Sequence, residues 1–227
     1  MKINQYTLLS GAKKATGCTV IIDVFRAFTV EAYLIHNGAE KVIPVGDKEL
    51  AYKLKEKDSN IIMIGERHGM KLIGFDYGNS PDDIHNVDFT GKTVVHTTSA
   101  GTQGLVNATG ASVILTASLV NARAVAEYIK KNNYPVVSIV AMGLAGEKET
   151  DEDNLCSRYI KDILLGNDTS YLKDEIEKIK YTDGAKFFDP AKPWFAENDF
   201  YLSTEYDKFD FVLEYIKNGD YGYIKKI

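Results

Sequence analysis

The sequence predicts an α/β fold, a three-layer α/β/α arrangement around a mostly parallel or mixed sheet. Three observations carry that prediction. Short β-branched runs alternate with amphipathic stretches through the first two-thirds of the 227 residues. The runs are nearly continuous in apolar residues, as strands covered on both faces must be, since neither face meets water. The spacing between runs leaves room for a helix, the connection that parallel neighbours require.

Taken in order, strands are expected over 19–24, 41–45, 61–64, 93–97, 112–115 and 136–141, and helices over 28–36, 48–57, 103–108 and 120–131. Thr19-Val20-Ile21-Ile22-Asp23-Val24 can be laid on Thr93-Val94-Val95-His96-Thr97-Thr98. Both stretches then enter a helix and reach Gly-Ala (Gly38-Ala39, Gly110-Ala111) before another strand. That echo points to two similar βαβ halves. From Asn154 onward the pattern is helical, then aromatic: 14 of the chain's 25 aromatic residues lie between Tyr171 and Tyr223. These read as a cover packed on the sheet, broken into short pieces by Asp183-Gly184, Pro190 and Pro193. No linker separates them, so residues 1–227 are read as one unit. It comprises a motif-bearing sheet core over 20–156 and a helical, aromatic-rich part over 157–227.

Composition narrows the function. At 44% hydrophobic and 26% charged, the chain is ordinary globular protein. Lys and Arg total 27 against 32 Asp and Glu, a net charge of −5, which lacks the basic footprint of a nucleic-acid binder. No apolar run approaches the roughly 18–20 residues of a membrane helix. The first residues carry no apolar signal core, so a cytoplasmic location is expected. Cys18 and Cys156 make neither a disulfide framework nor a zinc cluster.

In open α/β sheets, ligands bind beyond the carboxyl ends of strands, and the polar residues gather at those ends. Asp23 and Arg26 follow the first run. Glu66, Arg67 and His68 follow the third. Thr98, Ser99, Gly101 and Thr102 follow the fourth. Glu147, Glu152 and Asp153 follow the last. All are expected on one rim. Hydroxyls and a glycine leading into a helix offer free N–H groups and a positive helix end, a cradle for phosphate or sulfonate; the same residues also suit simple capping. Arg26 and Arg67 could grip an anion with two parallel hydrogen bonds each. Asp23, Glu66, Glu147, Glu149, Glu152 and Asp153 are hard-oxygen donors that favour Mg²⁺ or Mn²⁺ over Zn²⁺. Asp23 is the sharpest of them, because a carboxylate ending an apolar strand costs desolvation unless it is partnered. Asn79 and Ser80 sit in a turn able to hydrogen-bond a ligand, and His68 could act as an acid. His36, His85 and His96 have no evident partners and read as structural.

Together these motifs resemble the 2-phosphosulfolactate phosphatase family. The resemblance rests on Val20–Ala27, Gly65-Glu66-Arg67-His68-Gly69, Gly78-Asn79-Ser80-Pro81, Thr97–Thr102 and the stretch from Gly143 through Glu147 to Glu152-Asp153-Asn154. It implies a Mg²⁺-dependent phosphomonoesterase that releases phosphate from (R)-2-phospho-3-sulfolactate on the route to coenzyme M. Chemistry and position then assign roles. Asp23 with acids among Glu147, Glu152 and Asp153 is expected to hold Mg²⁺. Arg26, Arg67 and the 98–102 turn are expected to bind anionic oxygens, with Asp23, Arg26, Glu66 and Arg67 at the reacting centre. Water attack and attack by Asp23 both remain open. Two alternatives stand beside this reading: a haloacid-dehalogenase-like phosphatase and a non-catalytic binder of anionic metabolites. Against the first, Phe25 stands where those enzymes carry a second Asp. The expected partner is a small phosphorylated anion, and a homodimer is the default oligomer.

Overall fold

Cys18 to Ile22 are buried without interruption, so this segment can take ladder partners on both edges. As strand β2 (Gly17–Ile22) it does so, lying parallel between β7 (Ala111–Ala117) and β8 (Val136–Ala141). Strand β1 (Lys2–Thr7) adds parallel to the far side of β8. A second parallel block centres on β6 (Thr93–Thr97), flanked by β3 (Lys41–Pro44) and β4 (Ile62–Arg67). The short β5 (Met70–Lys71) closes its edge, antiparallel to β4.

In the computed structural model of Met1–Ile227, a hairpin of β9 (Leu213–Asn218) and β10 (Tyr221–Lys226) joins the blocks. The result is one mixed ten-stranded sheet ordered β1-β8-β2-β7-β9-β10-β3-β6-β4-β5. The hairpin meets β7 over two residue pairs and β3 over one, antiparallel in each case. Residues 213–226 therefore correct the expectation of a helical cover, since they are strands inside the sheet. β1 was not foreseen either, because its polar, half-exposed residues make no apolar run.

The echo in the sequence has a counterpart in this topology. Following the chain, β2, β3 and β4 form one unit and β6, β7 and β8 another. Each block holds the first strand of one unit between the second and third strands of the other. Helix α2 (Ala27–His36) consequently crosses from one block to the other, and α5 (Gly101–Asn107) crosses back. Ala27 to Leu34 are all buried, as expected of a helix covered on every side.

Alternation along the strands sets three layers. Ile21 of β2 with Val42 of β3 and Val94 of β6 faces a shared helical layer containing Phe28, Val30, Leu34 and Leu105. On the opposite face of block one, Val20 and Ile22 pack against α6 (Ala122–Asn132) and α7 (Asp151–Leu165) through Val125, Ile129 and Ile160. On block two, Ile43 and Val95 pack on Ala51 and Leu54 of α3 (Lys48–Lys57). The first turns of α2 and α5 start side by side where the blocks meet, which is what positions the site. The functional strand ends thus converge at a seam between two blocks, not along the rim of one parallel sheet. No helix is long and apolar enough to cross a membrane.

Candidate active site

Asp23 follows β2, and its carboxylate is held at the openings of both crossing helices. Oδ1 accepts from Ala27 N at 3.0 Å and Oδ2 from Gly101 N at 2.8 Å. A side chain at position 101 would put its Cβ 2.8 Å from Asp23 Oδ2 and 2.9 Å from Ala27 Cβ, so only glycine permits this approach. Asp153, in the first turn of α7, accepts from Val24 N at 2.7 Å and Gly143 N at 2.8 Å. Glu66, at the end of β4, accepts from Ser99 N and Gly69 N, each at 2.7 Å. Glu152 is 3% exposed, and its Oε2 has no partner. These four buried carboxylates line one cavity of about 990 Å³.

Burial pushes the Asp23 carboxyl up to about 6, with the nearby Glu66 charge adding to it. Burial raises Glu152 to about 7, opposed by the Lys186 ammonium. Asp153 is pushed well above the usual carboxylate range by burial and by the charges of Glu152 and Asp23. Like charges held out of water are costly unless a cation completes the site. The donor set suits Mg²⁺. No three such groups form a ready metal cage, but Mg²⁺ commonly takes one or two carboxylates and completes its shell with water and phosphate oxygens. The unpartnered Glu152 oxygen, with Asp23 and Asp153 beside it, fits that mode.

Two cations reach the same cavity from the segment after α8 (Leu172–Ile179), and sequence reasoning did not single them out. Lys186 lies over aromatic rings, 5.2 Å from the Phe25 centroid and 5.6 Å from that of Phe195. Lys192 also lines it, paired with Asp189 at 3.0 Å. Their only signal in the sequence was a pair of lysines among aromatics and prolines, which many surface loops share.

The remaining residues divide clearly. His68, Asn79, Ser99 and the exposed Glu147 line the cavity, as does Arg26. The Arg26 guanidinium is already engaged, however, donating to Asp199 Oδ2 at 2.5 Å, Trp194 O at 3.1 Å and Gly69 O at 3.2 Å. Asp199, in α9 (Glu197–Thr204), is fully buried and also accepts from Ser80 Oγ at 2.7 Å and Asp82 N at 2.9 Å. Arg26 and Ser80 therefore brace the C-terminal segment against the sheet, and Ser80 does not line the cavity. Arg67 turns away, donating to Glu66 O at 2.6 Å, Thr97 Oγ1 at 3.0 Å and Gly46 O at 3.3 Å. Thr98 and Thr102 bond each other, N to Oγ1, at 3.0 and 3.2 Å. The turn expected to cradle an anion instead gives its Ser99 and Gly101 amides to Glu66 and Asp23. It holds carboxylates, and those carboxylates face the cavity.

An α/β fold that gathers carboxylates at a seam between two parallel blocks, with lysines above them, has the site of an enzyme acting on a small anion. Comparison with known proteins identifies which. The family model described as 2-phosphosulpholactate phosphatase matches residues 5–217, and the chain belongs to that family, a family of phosphoric monoester hydrolases. The chain is similar to a Bacillus subtilis protein named "Probable 2-phosphosulfolactate phosphatase", 32% identical over 92% of this chain and 91% of the relative. Proteins of the same name match from Caldicellulosiruptor saccharolyticus, at 39% over 74% of this chain and 71% of the relative, and from Clostridium tetani, at 36% over 88% and 89%.

Proposed function

We propose that this protein hydrolyses (R)-2-phospho-3-sulfolactate to sulfolactate and phosphate with Mg²⁺, a step toward coenzyme M. The observation that carries the reading is the set of four buried carboxylates, one oxygen of it unpartnered, under two lysines in a single cavity. The names of the relatives point to the same substrate. Glu152, through its unpartnered oxygen, would hold the metal together with Asp23 or Asp153. When bound, the ion supplies positive charge to the phosphoryl oxygens and lowers the pKa of water. Both Asp23 oxygens accept backbone N–H bonds, which fixes the carboxylate and draws electron density from it. The same bonds lower its nucleophilicity and its basicity together, so Asp23 serves as a holding group, with water as the nucleophile. Lys186 and Lys192 meet the sulfonate and carboxylate charges, which an acidic protein must neutralise locally.

The test is phosphate release from 2-phosphosulfolactate, 2-phospholactate and phosphoglycolate, each with Mg²⁺ and with EDTA. Mg²⁺-dependent release favouring the sulfonate is expected, with Asp23→Asn slowing it by roughly a thousandfold. Release from the other two esters alone would keep the chemistry and overturn the substrate. No release from any of them would make the protein a binder of anionic metabolites.

A further inference from the structure

Beneath the cavity wall lies a chain of three polar side chains that the chemistry above leaves unused. Glu31 on α2 and His96 in β6 are both fully buried. Glu31 Oε1 lies 3.1 Å from His96 Nδ1, and His96 Nε2 lies 3.1 Å from Asn79 Oδ1. Asn79 is 5% exposed and lines both the main cavity and an adjoining cleft of about 370 Å³ that Trp194 also lines. With the Asn79 amide oxygen toward it, His96 Nε2 is the donor, and Nδ1 then meets Glu31 either as an imidazolium N–H to the carboxylate or as the acceptor of a carboxylic acid proton. The Asn79 amide nitrogen is then the polar end left over, and no protein group accepts from it.

An asparagine side chain that is free to turn can present its oxygen or its nitrogen. Beside a cavity lined by carboxylates and meant for an anion, the oxygen would repel and the nitrogen would bind. A buried imidazole–carboxylate pair is costly to desolvate and adds little stability over an apolar pair of similar volume. The second oxygen of Glu31 even lacks a partner, so the pair is not a fully satisfied structural network. We infer that Glu31 and His96 are positioning residues that lock Asn79 with its N–H₂ group toward the cavity, as the donor to an anionic oxygen of the substrate. The inference rests on the reading of the cavity as a phosphate-ester site.

The probe is inorganic phosphate, titrated calorimetrically into the full-length protein with Mg²⁺ present, alongside kcat and KM for the best ester. Asn79→Ala should weaken phosphate binding by about tenfold and raise KM by a similar factor, the loss of one hydrogen bond to a charged group. In a Glu31→Gln background, which avoids stranding a buried charge, His96→Leu should lose the same factor, and His96→Gln, which keeps a donor to Asn79, should recover most of it. Circular dichroism establishes that each variant is folded. Should the His96→Leu combination not fold, His96→Met in the same background, which fills a similar volume without a donor to Asn79, takes its place with the same expected loss. Unchanged phosphate affinity in Asn79→Ala, wild-type affinity in the folded His96→Leu or His96→Met combination, or no phosphate binding by the wild type would each overturn the inference. Binding that depends on Asn79, with no release of phosphate from any ester, would instead overturn the phosphatase reading and leave the positioning role standing.

Discussion

Glu152 enters the first turn of α7 with one oxygen that no protein group meets, and burial raises its carboxyl to about 7. Its folded-state value lies above the ordinary one, so the folded form binds the proton more tightly than the unfolded form. The resulting destabilisation is absent below the ordinary carboxylate range and grows as pH rises toward 7. Glu152→Gln should therefore raise the thermal midpoint at pH 8, by an amount equivalent to about 2 kcal/mol, and should leave it nearly unchanged at pH 4.5. The same substitution should lower turnover, which melting curves and phosphate release at both pH values would show together. Gly101 carries the opposite liability. Its alanine variant would drive a Cβ to within 2.8 Å of Asp23 Oδ2, so turnover should fall sharply while the folded core persists.

At the scale of elements, two attachments hold the C-terminal region in place. Asp199 ties α9 to Arg26 and Ser80 in full burial. Asp199→Ala would strand the Arg26 guanidinium, at a cost of about 3–5 kcal/mol, measurable by urea unfolding. The β9–β10 hairpin is the only ladder connection between the blocks, and Leu213 at its start is fully buried. Leu213→Ala should cost about 2–5 kcal/mol in the same experiment. A hairpin signal was present in the sequence: Gly219-Asp220 lies between segments that alternate, with Leu213 and Tyr215 buried and Glu214 and Ile216 less so. The abundance of tyrosine and phenylalanine masked it, because aromatic density reads equally well as a cover.

At the scale of the molecule, the carboxylates come from both blocks: Asp23 and Asp153 beside block one, Glu66 from block two. A cation held by Glu152 with Asp23 or Asp153 would lie on the block-one side of the seam between the blocks and would bind only the folded protein. Mg²⁺ should therefore raise the thermal midpoint of the whole protein as a single transition, and EDTA should reverse the gain. The gain should be larger at pH 8 than at pH 6, since protons compete for the raised carboxyls. A midpoint indifferent to Mg²⁺ at both pH values would remove the metal from the proposal.

The sequence by itself determined the strands that are covered on both faces and the helices between them, because burial on two sides leaves an unbroken apolar run. It also determined which residue types stand at the strand ends, and so which chemistry is within reach. Only the tertiary structure decided which of those residues face one another. Arg67, Thr98 and Thr102 have side chains apt for an anion, yet they spend them on neighbouring backbone and on each other. Asp199, Lys186 and the Glu31–His96 pair carry no local mark, being ordinary residues until distant segments bring them into contact. The physical reason is that apolar periodicity is a local property of the chain. The partner of a charged or hydrogen-bonding group is set by crossovers such as α2 and α5, which join segments that composition and spacing leave unrelated.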